Sequence, residues 1–361
     1  MTKVRFSPDI FRIERFGGVS RYVVELHRGL LDLGVDSRIL AGLHRSGSLS
    51  GVDEVIGASV ENVRPERVRQ GLTKVADRGL ERVWAAGQDR STIYHKTYFD
   101  HSVPTGPTLA VTVYDMIHER YPDELSPRDL TVGAKRTWCE RADVVFAISH
   151  QTRVDLLERY ELDPDKVVVT HLGVAVVDPD GTEPPFAGRP FVLYVGNRSR
   201  PYKNWSRALE VMAHLPAEIG LVCFGPDPTA AEAAAVSALG LDERVRFVGG
   251  DDRRLATAYR SATALFYPSL YEGFGLPPLE AMAHGCPVVA TRAGSLPEVL
   301  GDAAILEDPT DVEAMAAALG SVLTDDELAG RLRVLGPAHA AGFTWAATAA
   351  ATLEGYRAAT S

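Results

Sequence analysis

Short, continuously apolar runs alternate with stretches of helical period along the whole chain. In the first half the runs KVRFS (3–7), SRIL (37–40), TIYH (92–95), TLAVTVY (108–114), ADVVFAIS (142–149) and KVVVTH (166–171) predict strands. Many of them lack the in-and-out alternation of a half-exposed strand, so they are expected to be covered on both faces, as parallel sheets are. Helical stretches, such as 19–33 and 66–87, lie between them. That alternation predicts a parallel, doubly wound α/β sheet.

The rhythm breaks at GVAVVDPDGTEPPFAGRP (173–190), which holds four prolines and three glycines and no periodic apolar face. It reads as a linker. The rhythm then restarts with FVLYVG (191–196), GLVCFG (220–225), VRFVG (245–249), ALFYPS (264–269), PVVAT (287–291) and AAILE (303–307), separated by helical segments that include the Ala-rich 229–239. FTWAATAAATLEGYRAA (343–359) reads as a final amphipathic helix. The expected organisation is a domain over 1–175, a linker over 176–190, a second domain over 191–342 and a C-terminal helix over 343–361. Two such domains would form a cleft at their facing strand ends, the default ligand site of open α/β sheets.

Three stretches carry candidate chemistry. The first is YEGFGLPPLEAMAHGCPVV (271–289), where Glu272 precedes a short helix and Glu280 is expected in its first turn. A helix start after a strand offers free N–H groups and a partial positive charge to an anion. Gly273 and Gly275 let backbone approach a ligand closely. Carboxylates are poor phosphate ligands but accept hydrogen bonds from hydroxyl pairs. The combination fits an extended ligand with an anionic middle and hydroxylated ends, such as a nucleoside-diphosphate sugar; a solvated Glu272 and a dipole-favoured Glu280 are the plainer alternative. The second stretch is YVGNRSRPYKNW (194–205), with Arg198, Arg200 and Lys203 at a strand's carboxyl end. Such cations suit a diphosphate and can stabilise it as a leaving group without a metal; a solvated basic loop is the alternative. The third is RFGGVSRYVVEL (15–26), where Gly17 and Gly18 make a glycine turn before a helix, or an ordinary loop.

Composition narrows the classes. The chain has 361 residues and a formal net charge of -10, which argues against a general nucleic-acid binder. Its length supplies cores large enough to need no disulfide or metal. Cys139, Cys223 and Cys286 are widely spaced, with no metal-ligand pattern, and read as core residues in a reducing compartment. MTKVRFSPDIF lacks a secretory apolar region, and no apolar run approaches the ~20 residues of a membrane span. A cytoplasmic protein is expected. Peripheral contact with the inner face of a membrane stays open, because a lipid-linked substrate needs no spanning helix.

These motifs, taken in order, carry a resemblance. FYPSLYEGFGLPPLEAMAHGCPVVAT followed by SLPEVLGDAAILEDP (295–309) resembles the E-x7-E signature region of retaining glycosyltransferases of family GT4. VGNRSRPYKN resembles that family's diphosphate-binding Arg-x4-Lys element, GGVSRYVVEL its N-terminal glycine loop, and FTWAATAAATLEGY its C-terminal helix. The resemblance spans nearly the whole chain. It implies the GT-B fold, with the last helix crossing back to the N-terminal domain, and transfer of a sugar with retention, independent of cofactor and metal. It implies that Arg198 and Lys203 hold the diphosphate, that Glu272 contacts sugar hydroxyls and Glu280 ribose hydroxyls, that Phe274, Gly275 and Leu276 lie by the sugar and diphosphate, and that Gly17 or Gly18 lines the donor site.

One position departs from the pattern. Where many relatives read His-Asp, this chain has Tyr114 and Asp115, within VTVYDMIHE (111–119). Tyr114 is a candidate sugar contact and Asp115 a candidate catalytic polar contact. His95 and His118 are further candidates for meeting an acceptor, beside readings as structure or surface. The closest subfamily likeness is to enzymes that move mannose or related sugars into polysaccharides and glycolipids. Donors linked to GDP, UDP or dTDP are all compatible, and the acceptor is expected to be a glycan, a glycolipid or a small natural product. Two alternatives stand beside transfer: a nucleotide-sugar epimerase on the same fold, betrayed by donor isomerisation without acceptor product, and a non-catalytic nucleotide-sugar-binding subunit, betrayed by tight donor binding without turnover.

Overall fold

The computed structural model describes residues 2–60, 84, 87–100, 103–124, 129–186 and 188–360. Most of the helix expected at 66–87 lies outside the described residues. The chain divides into two compact units: residues 1–173 with 345–361, and residues 174–344.

The first unit is built on a seven-stranded sheet of order β3-β2-β1-β4-β5-β6-β7. Its strands are β1 (Lys3–Phe6), β2 (Asp36–His44), β3 (Val55–Ser59), β4 (Thr92–Lys96), β5 (Thr108–Val113), β6 (Val144–Ala147) and β7 (Val167–Val169), and every pair is parallel. All six residues of β5 are buried, as its unbroken apolar run requires. β3 is the strand that the apolar pattern does not announce: it lies at the sheet edge and four of its five residues are exposed. The Gly18–Asp32 helix turns Tyr22, Val23, Leu26 and Leu30 inward, the spacing of one helical stripe. Ser149 caps the His150–Arg159 helix by accepting from the Thr152 N–H.

The terminal helix, Trp345–Thr360, completes this unit. Tyr356 is fully buried and its hydroxyl bonds His95 Nδ1, while its ring meets Phe146 edge-on at 5.3 Å. Two glycines allow the close approach. A Cβ on Gly355 would stand 2.5 Å from the Phe146 ring, and one on Gly29 would stand 2.6 Å from Ala349 Cβ. His95 Nε2 bonds Thr112 at 2.9 Å, and Tyr22 bonds the same hydroxyl at 3.0 Å, so a buried polar chain runs from one helix through β5 and β4 to the other.

Burial pushes the His95 imidazole down to about 3. A histidine that stays neutral in the fold but protonates when unfolded adds no penalty above its ordinary value near 6.5. It favours unfolding more and more as pH falls from there toward 3. The unit is therefore expected to lose about 1.4 kcal/mol per pH unit through that window from this group alone. Urea midpoints measured between pH 7 and 4 should fall less steeply in His95→Gln than in the wild type. His27, also pushed down by burial, supplies a background common to both. Identical slopes would contradict the assignment.

The second unit holds a six-stranded parallel sheet of order β10-β9-β8-β11-β12-β13. The strands are β8 (Phe191–Val195), β9 (Gly220–Phe224), β10 (Val245–Val248), β11 (Ala264–Tyr267), β12 (Val288–Thr291) and β13 (Ile305–Glu307). One core, including Trp205, Leu209, Met212, Phe266, Met315 and Leu319, packs under the sheet. The proline-rich segment read as a linker belongs to this unit. His284 Nε2 bonds Val177 O at 3.0 Å, Thr257 donates to Asp180 at 2.7 Å, and Arg254 donates to Glu183 O at 2.9 Å. Its polar groups find fixed partners, which a composition rich in Pro and Gly does not reveal. In each sheet the strand order reverses beside the first strand, between β1 and β4 and between β8 and β11. Those two carboxyl-end crevices are where open α/β sheets bind ligands.

Candidate donor site in the second unit

The crevice between β8 and β11 brings one basic and one acidic candidate together, Lys203 and Glu272. β8 ends at Val195, and the chain runs through Arg198 and a 3-10 turn, Pro201–Lys203, before the Trp205–His214 helix. β11 ends at Tyr267, and the loop after it carries Glu272 into the Leu276–Ala283 helix. Lys203 and Glu272 are 69 residues apart, yet Nζ lies 2.6 Å from Glu272 Oε1 and donates to Tyr267 Oη at 2.9 Å. Burial alone would lower the Lys203 pKa, but the Glu272 carboxylate outweighs it and raises the ammonium above its ordinary value. Lys203 is thus a fixed cation at neutral pH.

Arg198 is more deeply set, with its side chain 2% exposed. Nε donates to Glu232 Oε1 at 3.1 Å, and Nη2 to Pro226 O at 2.6 Å and Asp227 O at 3.3 Å. The guanidinium lies over the Phe247 ring at 4.8 Å. Nη1 is buried and has no hydrogen-bond partner among the described residues. An arginine held on three sides with one free donor pair is already oriented for an anion. Glu232 is held in turn: burial works to raise its carboxyl, but the Thr229 N–H and Arg198 outweigh burial and keep it below the usual range.

Glu280 is the fifth residue of the Leu276–Ala283 helix, just past the first turn in which the sequence pattern places it. It is 9% exposed, and Tyr259 Oη donates to its Oε2 at 3.2 Å. The helix start is also a leaner anion site than expected. Pro277 and Pro278 carry no N–H, so the prolines that favour the helix start remove two of its free donors. Gly275 caps this helix in the left-handed region, at φ 97°, and a Cβ there would stand 2.6 Å from Leu296 Cδ2. Phe274 is buried edge-on against Phe343 at 5.9 Å, so its ring serves packing. Gly273 and Leu276 lie on either side of this turn.

The first unit's candidates divide. Gly17 is extended and packed so tightly that a Cβ would stand 2.3 Å from the Glu14 carboxyl, which accepts from the Ser20 N–H at 3.0 Å; around Gly18 the space is open. His95 is not available to an acceptor, since both ring nitrogens bond inside the unit. Its neighbour Lys96 is equally enclosed, 2.8 Å from Asp9 and 2.9 Å from Asp100. Tyr114 is buried with its hydroxyl donating to Thr97 O at 3.1 Å, and burial pushes that phenol well above its ordinary pKa. It ties β5 to the end of β4 and offers no hydroxyl to a sugar. Asp115 is half-buried and accepts from the Ile117 N–H at 2.9 Å; His118 is half-buried on the following turn.

Sequence reasoning missed Tyr259, Tyr267 and Glu232, which contact the candidates from distant positions. It also missed Asn204, whose αL backbone (φ 58°, ψ 40°) beside Lys203 marks a constrained turn.

Two family models match consecutive parts of the chain: Glycosyltransferase Family 4 over residues 16–177 and Glycosyl transferases group 1 over residues 182–336. The chain is 29% identical to the O-antigen chain mannosyltransferase B of Escherichia coli, over 76% of each. It is also 29% identical to the D-inositol 3-phosphate glycosyltransferase of Xylanimonas cellulosilytica, over 95% of this chain and 92% of that one. The sucrose-phosphate synthase of Thermosynechococcus elongatus superposes with a TM-score of 0.76 at 22% identity, covering 99% of both chains. The two parallel-sheet units define a protein of the GT-B fold. The chain belongs to glycosyltransferase family 4 and is an enzyme of nucleotide-sugar-dependent glycosyl transfer. Among the described residues no helix is long and apolar enough to cross a membrane.

Proposed function

We propose that the chain transfers mannose or a related hexose, with retention and without a metal, from a nucleoside diphosphate to a hydroxyl of a glycan, glycolipid or natural product. The observation that carries this reading is the pairing of Lys203 with Glu272 at the strand-order reversal between β8 and β11, with Arg198 three residues past the end of β8 and its buried Nη1 without a partner among the described residues. In this reading Arg198 Nη1 and Lys203 hold the diphosphate, Glu272 accepts from sugar hydroxyls, and Glu280 accepts from the ribose. As the C1–phosphate bond breaks, negative charge grows on the leaving oxygen, where the two cations stabilise it. The acceptor oxygen bonds C1 from the same face, and its proton passes to that phosphate oxygen. Mannose is favoured by the mannosyltransferase among the relatives. GDP is accordingly the first base to try, with UDP and dTDP beside it. The proposed setting is the cytoplasm, at the inner membrane face when the acceptor is lipid-linked.

A thermal-shift panel of GDP, UDP, dTDP and their monophosphates tests the site. One diphosphate should raise Tm while its monophosphate does so far less; saturation at 100 times Kd corresponds to about 2.7 kcal/mol. A panel in which no diphosphate outperforms its monophosphate sinks the assignment of Arg198 and Lys203.

A further inference from the structure

The loop that carries Glu272 is fastened on both sides. On one side Asn204 Nδ2 donates to Pro268 O at 3.0 Å, and the Leu270 N–H donates to Tyr202 O at 2.7 Å. On the other, Thr291 Oγ1 donates to Ser269 O at 2.5 Å. Glu272 itself is held twice: its carbonyl accepts from both the N–H and the Oγ of Ser295, each at 3.1 Å.

Ser295 stands at the N-cap of the Leu296–Leu300 helix, where a serine hydroxyl ordinarily accepts from an N–H of the first turn. Here the hydroxyl reaches back to Glu272 instead, and it is completely buried in doing so. Gly294, beside it, is in the left-handed region at φ 56°. A Cβ at this position would stand 2.4 Å from Glu272 O and 2.7 Å from Glu272 N. Both are backbone atoms, and Glu272 O is held by Ser295, so they cannot yield as a flexible side chain would.

We infer that Gly294 and Ser295 are positioning residues for Glu272, setting where its carboxylate stands relative to the donor sugar. The inference rests on Glu272 being the sugar-recognising residue proposed above. Neither residue needs to touch the substrate. Their effect passes through the peptide of Glu272, and a displacement near 1 Å at such a group costs about 10²-fold in rate.

The test compares Gly294→Ala, Ser295→Ala and Ser295→Thr with the wild type and with Glu272→Ala. Two quantities are read for each: GDP or UDP affinity by calorimetry, and nucleoside-diphosphate release from GDP-mannose or UDP-glucose. Gly294→Ala is expected to lower kcat about 100-fold while nucleoside-diphosphate affinity stays within about threefold. Ser295→Ala, which keeps the backbone donor, should lose about fivefold, the share of one hydrogen bond, and Ser295→Thr should recover it. Wild-type kcat in Gly294→Ala and Ser295→Ala overturns the inference. So does a loss of kcat matched by equal loss of affinity and of Tm, since the pair would then only stabilise the fold. Glu272→Ala separates the two levels: if it keeps full activity, the reading of the site itself has failed, and if it is inactive while Gly294→Ala is not, the inference alone has failed.

Discussion

Lys203→Ala should lose transfer by about 10- to 100-fold and melt earlier than the wild type. Both effects have one source. Lys203 Nζ sits 2.6 Å from Glu272, with the two side chains 15% and 9% exposed. Deleting the lysine strips a largely buried carboxylate of its cation, and breaking such a pair from one side costs about 3–5 kcal/mol. It also removes a charged hydrogen bond to the proposed diphosphate, worth about 1.5–3 kcal/mol, or roughly 10- to 100-fold in affinity. The two losses separate in the double variant Lys203→Met with Glu272→Gln. That variant leaves no uncompensated charge, so Tm should recover while transfer does not. The pH dependence has a definite sign. Because Glu272 raises the lysine's folded pKa, the pair's contribution is complete below the ordinary lysine value and fades only as pH climbs through the raised one. The deficit of Lys203→Ala should therefore be constant from pH 6 to 9. A variant with wild-type diphosphate affinity and turnover would remove Lys203 from the site.

Tyr356→Ala should strongly destabilise the first unit. The ring is fully buried against Phe146 and His95. Truncating a buried aromatic costs about 3–5 kcal/mol. For a unit of this size that lowers Tm by about 10 °C, as scanning calorimetry would read it. Tyr356→Phe keeps the ring and removes only the partner of His95 Nδ1, so it should cost about 1–3 kcal/mol. If the alanine variant melts within a degree or two of the wild type, the terminal helix is not part of the first unit's core.

Twelve of the thirteen strands among the described residues were legible from apolar and β-branched runs, most plainly β5, β6, β11 and β12, which are buried throughout. Val55–Ser59 was not, because an edge strand with four exposed residues needs no apolar run. Arg198, Lys203, Glu272 and Glu280 were singled out as candidates by their places around two strand ends together with the family resemblance. Their pairings were not legible. Tyr267, Glu232 and Ser295 reach them through the sheet order, which sets β8 between β9 and β11 and β11 beside β12, and Tyr259 reaches Glu280 from the helix that precedes β11. His95 and Tyr114 were misjudged for a related reason. A polar residue at a strand's carboxyl end can point out to solvent or in toward a packed helix, and a continuously apolar strand gives no alternation to tell which. The Tyr356 hydroxyl that claims His95 lies 261 residues away.

The most direct test of the donor site is a crystal structure of the full chain with the nucleoside diphosphate that gives the largest thermal shift. The account predicts phosphate oxygens within hydrogen-bond distance of Arg198 Nη1 and Lys203 Nζ, with the ribose hydroxyls on the Glu280 carboxylate. A nucleotide bound elsewhere, with Lys203 still closed on Glu272 and Arg198 Nη1 still without a partner, would contradict it.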